Sequence, residues 1–132
     1  MKYEKLELLI NGTWRSGSEN KSEPVYNPAT NEIIGDLPHA SKNDLKEALE
    51  SNKEAFKSWK QEPSLNRQKI IENACRILED KFDRVATNLT IEMGKPLAEA
   101  RMELSVGLDV LRWYGEEGKR AVSYTHLRAH ET

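Results

Sequence analysis

The sequence predicts an α+β chain, with β-hairpins first and three to four helices after them. Three observations carry this. An Asn-Gly pair, Asn11-Gly12, stands between two short apolar runs near the start. From Leu45 to Tyr114 apolar residues recur at three- and four-residue spacing, the period of a helix face. Helix punctuation falls between those runs: Ser41 and Pro63 before two of them, Gly94 and Pro96 at a stop followed by a start.

The elements follow in order. Glu7–Ile10, Asn11-Gly12 and Thr13–Arg15 form a hairpin pattern, because Asn-Gly tolerates the positive φ angles of a two-residue type I′ turn. Ser16 to Ser22 is polar and reads as a loop. Val25–Asn27 is a short strand, Pro28–Asn31 a turn, and Glu32–Leu37 a returning strand that Pro38 stops. Residues 41–59 are a helix, with Ser41 and Asp44 fitting a capping box and Leu45, Ala48, Leu49, Ala55, Phe56 and Trp59 on one stripe. Residues 64–93 are helical, with Leu65, Ile70, Ile71, Ala74, Cys75, Leu78, Phe82, Val85, Ala86, Leu89 and Met93 on a stripe long enough to require a bend or break near Glu79–Asp83. Gly94 fits the left-handed C′ position and Pro96 the first turn of the next helix.

That last helix, residues 96–118, is the most informative element. Leu97, Leu104, Leu108 and Leu111 line one face, and Met102, Val106, Val110, Trp113 and Tyr114 line another. Arg101, Ser105, Asp109, Arg112 and Glu116 leave one narrow polar stripe, with Arg112 and Glu116 spaced as an i, i+4 pair. A helix apolar on two faces is built to be covered from two sides. Gly115 and Gly118 are expected at its end. Little of the chain remains to cover the second face, so the expectation is a part of a larger protein, marginally stable and prone to aggregate by itself through Met102, Val106, Val110 and Trp113.

The totals exclude several classes. The 132 residues are 37% hydrophobic and 32% charged, with a formal charge of −2 and both signs interspersed, which gives no electrostatic reason to bind nucleic acid or an anionic membrane. The single cysteine, Cys75, forbids an intrachain disulfide. The opening MKYEKLELLI, with Lys and Glu mixed in, is expected not to act as a secretory signal, and no run approaches the ~20 apolar residues that span a bilayer. A cytoplasmic location is expected.

The residues with chemical potential read mostly as structure. Cys75 lies mid-helix beside Ile71, Ala74 and Leu78, without the cationic or helix-N-terminal setting a thiolate needs. His126 and His130 stand at i, i+4 but lack the glutamate of a zinc-protease helix and a third ligand, so no metal site is expected. No G-x-G-x-x-G or G-x-x-x-x-G-K pattern can be drawn through the glycines, so no phosphate-cradling loop is encoded. Gly107, inside a helix, costs about 1 kcal/mol relative to Ala, which predicts close backbone approach by a neighbour, helix–helix packing ahead of a cavity wall. Glu92, Glu99 and Glu103 could pair for acid–base work but read first as a solvated face. Trp14, Trp59, Trp113 and Tyr114 read as core or interface anchors.

Taken together, several segments resemble the aldehyde dehydrogenase superfamily. Ile10–Trp14 followed by Tyr26-Asn27-Pro28-Ala29-Thr30-Asn31-Glu32-Ile33-Ile34 is similar to its opening. Ala55-Phe56-Lys57-Ser58-Trp59 with Arg67 resembles the next signature, and Glu92-Met93-Gly94-Lys95-Pro96-Leu97-Ala98-Glu99-Ala100 through Glu103 the third. That third run and Trp113-Tyr114-Gly115-Glu116-Glu117 resemble the succinate-semialdehyde dehydrogenase subgroup most. The likeness covers residues 7 to about 121, and its strength lies in the order and spacing of the motifs.

The resemblance implies an α/β parent enzyme with a Rossmann-like cofactor domain, a catalytic domain and a β oligomerisation arm, assembled as a dimer or tetramer. It implies oxidation of a small aldehyde, such as succinate semialdehyde, by a cysteine thiolate, with hydride passing to NAD or NADP. Residues 1–121 would be the N-terminal part of the cofactor-binding domain. The catalytic and cofactor-binding residues of the family lie beyond them, so none is assigned in this chain, Cys75 included, and the chain alone is expected to be inactive and to bind no cofactor. Val106 or Gly107 would border the substrate tunnel. Residues 122–132 depart from the family pattern and are expected to be an artefactual or disordered tail. The alternative reading is a stand-alone helical interaction module that docks on intact family subunits.

Overall fold

The computed structural model describes residues 3–127, with side chains described over 3–120. The chain divides into two compact units, Met1–Gln61 with Ile91–Gly94, and Glu62–Thr90 with Lys95–Thr132.

The first unit opens with two hairpins. Strands β1 (Leu8–Ile10) and β2 (Thr13–Arg15) pair antiparallel, Leu9 opposite Trp14. Asn11 and Gly12 sit at φ 50° and 75°, the two positive values a type I′ turn requires. Strands β3 (Ser22–Tyr26) and β4 (Ile33–Pro38) form a separate antiparallel pair with a register shift between Val25 and Tyr26. Their turn closes through the Asn31 amide to the Asn27 carbonyl at 2.8 Å, the Asn27 side chain accepting from the Ala29 amide, and Asn31 at φ 59°. β3 begins at Ser22, inside the segment read as a loop, and Pro38 is the last paired residue of β4 rather than a stop. The polar composition of 16–22 hides this pairing, and Pro24 is tolerated because each strand of a two-stranded sheet has a free edge. Gly17 is fixed by a close approach: a Cβ there would lie 1.9 Å from the His39 carbonyl oxygen.

Helix α1 (Lys42–Trp59) completes this unit and packs against β1. Its start is the capping box read from the sequence. The Ser41 hydroxyl accepts from the Asp44 amide at 3.1 Å, and the Asp44 carboxylate accepts from the Ser41 amide at 2.8 Å. The apolar stripe is not a core face among the described residues: Leu45, Leu49 and Phe56 are more than half exposed and Trp59 is also exposed.

The second unit is helical. Helices α2 (Ser64–Asp80) and α3 (Phe82–Met93, whose last residues group with the first unit) are separated by Lys81, within the interval where the sequence requires a break. Helix α4 (Leu97–Leu127) follows Gly94, which takes φ 76°. Its core is the seam between α2 and α4, centred on Cys75, Leu108 and Gly115. A Cβ on Gly115 would stand 3.4 Å from Ile71 Cγ2, so this glycine marks the close approach of the two helices. The α2 stripe splits in consequence: Cys75 is fully buried and Ile71 and Leu78 partly, while Leu65, Ile70 and Ile77 are exposed.

Helix α4 corrects the sequence reading at its end. It continues past Gly115 and Gly118, because a helical glycine costs only about 1 kcal/mol and no proline follows to stop the ladder. Among the described residues no helix is long and apolar enough to cross a membrane.

Candidate functional site

The feature that asks for a partner is the outer face of α4. Its inner face is covered: Leu108 is 4% exposed and Ala100 fully buried, with Leu97 and Leu104 intermediate. Met102, Val106, Val110, Trp113 and Tyr114 are 64%, 56%, 47%, 59% and 64% exposed. The two-faced character read from the sequence is therefore present, with one face served by α2 and the other open. Leu111 departs from the reading, being 43% exposed although it follows Leu108 on the same predicted stripe. Gly107 departs as well. Nothing lies within 4 Å of where its Cβ would be, so the close approach predicted there occurs instead at Gly115. Trp113 and Tyr114 meet edge to face, ring centroids 4.9 Å apart, in the open.

The polar stripe of α4 is also rearranged. Arg112 does not pair with Glu116. Its guanidinium reaches Glu79 at 2.7 Å and Glu72 at 3.6 Å on α2, while Glu116 accepts from Gln68 and Lys119. The Arg112 hydrogen bond holds the Glu79 carboxyl below its ordinary value and raises the guanidinium further. Arg101 bonds Asp83 at 3.0 Å, and Lys95 pairs with Glu103. These contacts tie the helices together across sequence distances that the i, i+4 rule does not see.

The sequence-flagged reactive groups stay separate. Cys75 is a fully buried free cysteine in mid-helix. Glu92 accepts from the Tyr3 hydroxyl at 2.9 Å and Glu103 holds Lys95, so each of these carboxylates has its own partner. The side chains of His126 and His130 lie outside the described residues. Among the described residues no three His, Cys, Asp or Glu side chains gather as for a metal ion. Trp14 and Trp59 are exposed and are not core.

Two features escaped the sequence. One is the Asp44 node. Besides the capping box, this 2%-exposed carboxylate accepts from the Ser18 amide at 2.9 Å, the Ser18 hydroxyl at 3.0 Å and Arg15 at 3.3 Å, while Arg15 also bonds Glu47 at 2.6 Å. Backbone donors from Ser18 and Ser41 hold its pKa well below the ordinary carboxylate range. The node pins the 16–20 loop and β2 to α1, and it offers no free base. The other is a groove of about 500 Å³ in the first unit, lined by Tyr3, Lys5, Leu6, Lys21, Ile34 and Asp36 among others. Burial first, and then the Glu92 hydrogen bond and charge, raise the Tyr3 phenol to about 12. It is a neutral donor at physiological pH. Lys5 and Lys21 are neutralised by Glu7 and Glu19.

A glycine loop leading into a helix N-terminus is one common cradle for a dinucleotide pyrophosphate. The glycines near elements here do not make one. Gly17 is filled by the His39 carbonyl, and a Cβ on Gly94, just before α4, would meet Pro28 at 2.9 Å. Neither of these two glycines forms such a cradle.

Comparison with known proteins gives these helices a context. The aldehyde dehydrogenase family model matches residues 14–131. The chain belongs to the aldehyde dehydrogenase family. The matched span reaches into residues 122–131, which the motif reading sets apart. The 4-(hydroxymethyl)benzenesulfonate dehydrogenase TsaD1 of Comamonas testosteroni is 43% identical over 86% of this chain and 24% of its own. The NADP-dependent succinate-semialdehyde dehydrogenase 2 of Schizosaccharomyces pombe is 36% identical over 86% of this chain and 23% of its own. A crystal structure of an NADP-dependent enzyme from E. coli superposes with a TM-score of 0.85 at 31% identity, over 88% of this chain and 24% of that one. The chain thus spans about a quarter of the length of these relatives.

Proposed function

We propose that this chain works as the opening part of the cofactor domain of an NAD(P)-dependent aldehyde dehydrogenase, which oxidises a small aldehyde of the semialdehyde class, succinate semialdehyde first among them, as a homo-oligomer. The observation that carries the reading is the outer face of α4: a helix of an aldehyde dehydrogenase pattern with Met102, Val106, Val110 and Trp113 open to solvent. Such a contiguous apolar strip is the mark of an intramolecular interface whose other side lies elsewhere in the enzyme. The substrate class is supported by relatives named for succinate semialdehyde and by the Glu92–Arg101 and Trp113–Glu117 motifs. In this reading the catalytic thiolate and the nicotinamide site belong to the other three-quarters, and the present residues supply packing for them.

The test is a chimera. Residues 1–121 replace the aligned quarter of the Schizosaccharomyces pombe enzyme, and NADP reduction with succinic semialdehyde is followed. A soluble, active chimera is expected, with no reduction by the 132-residue chain alone. An insoluble or inactive chimera, or NADPH formation by the chain alone, would overturn the reading.

A further inference from the structure

We infer that Asn11 is a site of spontaneous covalent modification, in which its amide is converted to aspartate and isoaspartate at a rate set by opening of the first hairpin. Asn11-Gly12 is the only Asn-Gly pair in the chain. Both residues are exposed, and nothing beyond the adjoining residues lies within 4 Å of where a Gly12 Cβ would stand, so the turn is open to solvent on that side.

The chemistry needs only water. The Gly12 amide nitrogen loses its proton and attacks Asn11 Cγ. The new N–C bond closes a five-membered succinimide, and the side-chain nitrogen leaves as ammonia. Water then opens the ring: cleavage at Cγ gives aspartate, and cleavage at the α-carbonyl gives isoaspartate, whose backbone runs through Cβ. Ring closure requires rotation at Asn11 out of its left-handed turn conformation, φ 50°. One feature permits that rotation and one opposes it. The hairpin has strands of only three residues, with the central pair, Leu9 and Trp14, 55% and 63% exposed, so it is weakly held. The Ser51 hydroxyl donates to Asn11 Oδ1 at 3.1 Å and latches the side chain to α1. The product carboxylate would face Glu47, Glu50 and Glu54, which line the same shallow surface. Isoaspartate would lengthen the turn and break its two-residue register.

The full chain is incubated in mildly alkaline buffer at body temperature, digested, and read by mass spectrometry and by methylation with a protein isoaspartyl methyltransferase. Asn20 and Asn31, the other asparagines at positive φ, are followed by Lys and Glu and serve as controls in the same sample. Asn11 should convert while both controls stay amides. Ser51→Ala should speed conversion about fivefold, the factor equivalent to one ordinary hydrogen bond. An Asn11 that stays an amide, controls that convert as fast, or a Ser51→Ala rate equal to the parent's would overturn the inference.

Discussion

Replacing Gly107 with alanine tests whether the outer face of α4 is open. The residue is in mid-helix, and a Cβ there meets nothing within 4 Å. The substitution therefore adds helix propensity with no steric offset, about 0.8–1 kcal/mol in favour of the folded chain. With a urea slope of about 2 kcal/mol/M, the midpoint should rise by about 0.5 M. Gly115 supplies the contrast. Its Cβ would touch Ile71 Cγ2 at 3.4 Å and Gln68 Cγ at 3.7 Å, so alanine fits but a longer side chain must displace α2. Glutamine, a good helix former, should be tolerated at 107 and should cost about 1–3 kcal/mol at 115 by overpacking the seam. Far-UV circular dichroism during urea titration, at two protein concentrations, reads both effects. A Gly107→Ala chain less stable than the parent, or glutamine equally costly at both positions, would show that Gly107 is packed in solution and that the open face is wrongly identified.

Two titrations give further tests. The Asp44 carboxyl is depressed in the folded chain, so its stabilisation is present above the ordinary carboxylate value of about 3.9 and is lost as pH falls through it toward the lower folded value. Hydrogen exchange in the first turn of α1 should accelerate over that acid range, and Asp44→Asn should flatten the dependence; an unchanged acid profile would remove Asp44 from its role. The Tyr3 phenol is raised to about 12, so its contribution is present below the ordinary value of about 10 and lost as pH rises between the two. Tyrosinate absorbance should show a step near pH 12 that Tyr3→Phe removes, and its persistence in that variant would assign the step to another group.

What could be read from the sequence is what neighbours in the chain decide. The Asn11-Gly12 turn, the Ser41–Asp44 capping box, the break at Lys81 and the left-handed Gly94 each depend on a few adjacent residues, and each is found where the pattern puts it. The choice among long-range partners is different in kind. Arg112 has a legible i, i+4 neighbour in Glu116 and yet reaches Glu79 and Glu72 on another helix. Asp44 declares itself as a cap but not as the acceptor for Ser18 and Arg15. Of two mid-helix glycines, Gly107 looked like the packing residue and Gly115 like a terminus, whereas Gly115 makes the close approach and Gly107 faces open space.

The same distinction explains the apolar faces. Periodicity states the direction in which a helix expects cover and is silent on where the cover comes from. The inner face of α4 is answered by α2, whereas the stripe Leu45, Leu49, Phe56 on α1 and the stripe Met102, Val106, Val110 on α4 are equally periodic and meet no such cover among the described residues. Amphipathic pattern and buried core are thus separable quantities, and the difference between them is the apolar surface that the described residues leave uncovered. That difference shows on α1 and the outer face of α4, and also at Leu9, Trp14 and Ile33 on the hairpins and at Leu65 and Ile70 on α2, while Cys75 and Leu108 in the α2–α4 seam are buried. Disruption should follow the same division: polar substitutions at Val106 or Leu49 should leave the fold of this chain intact, whereas one at Leu108, 4% exposed in the seam, should not.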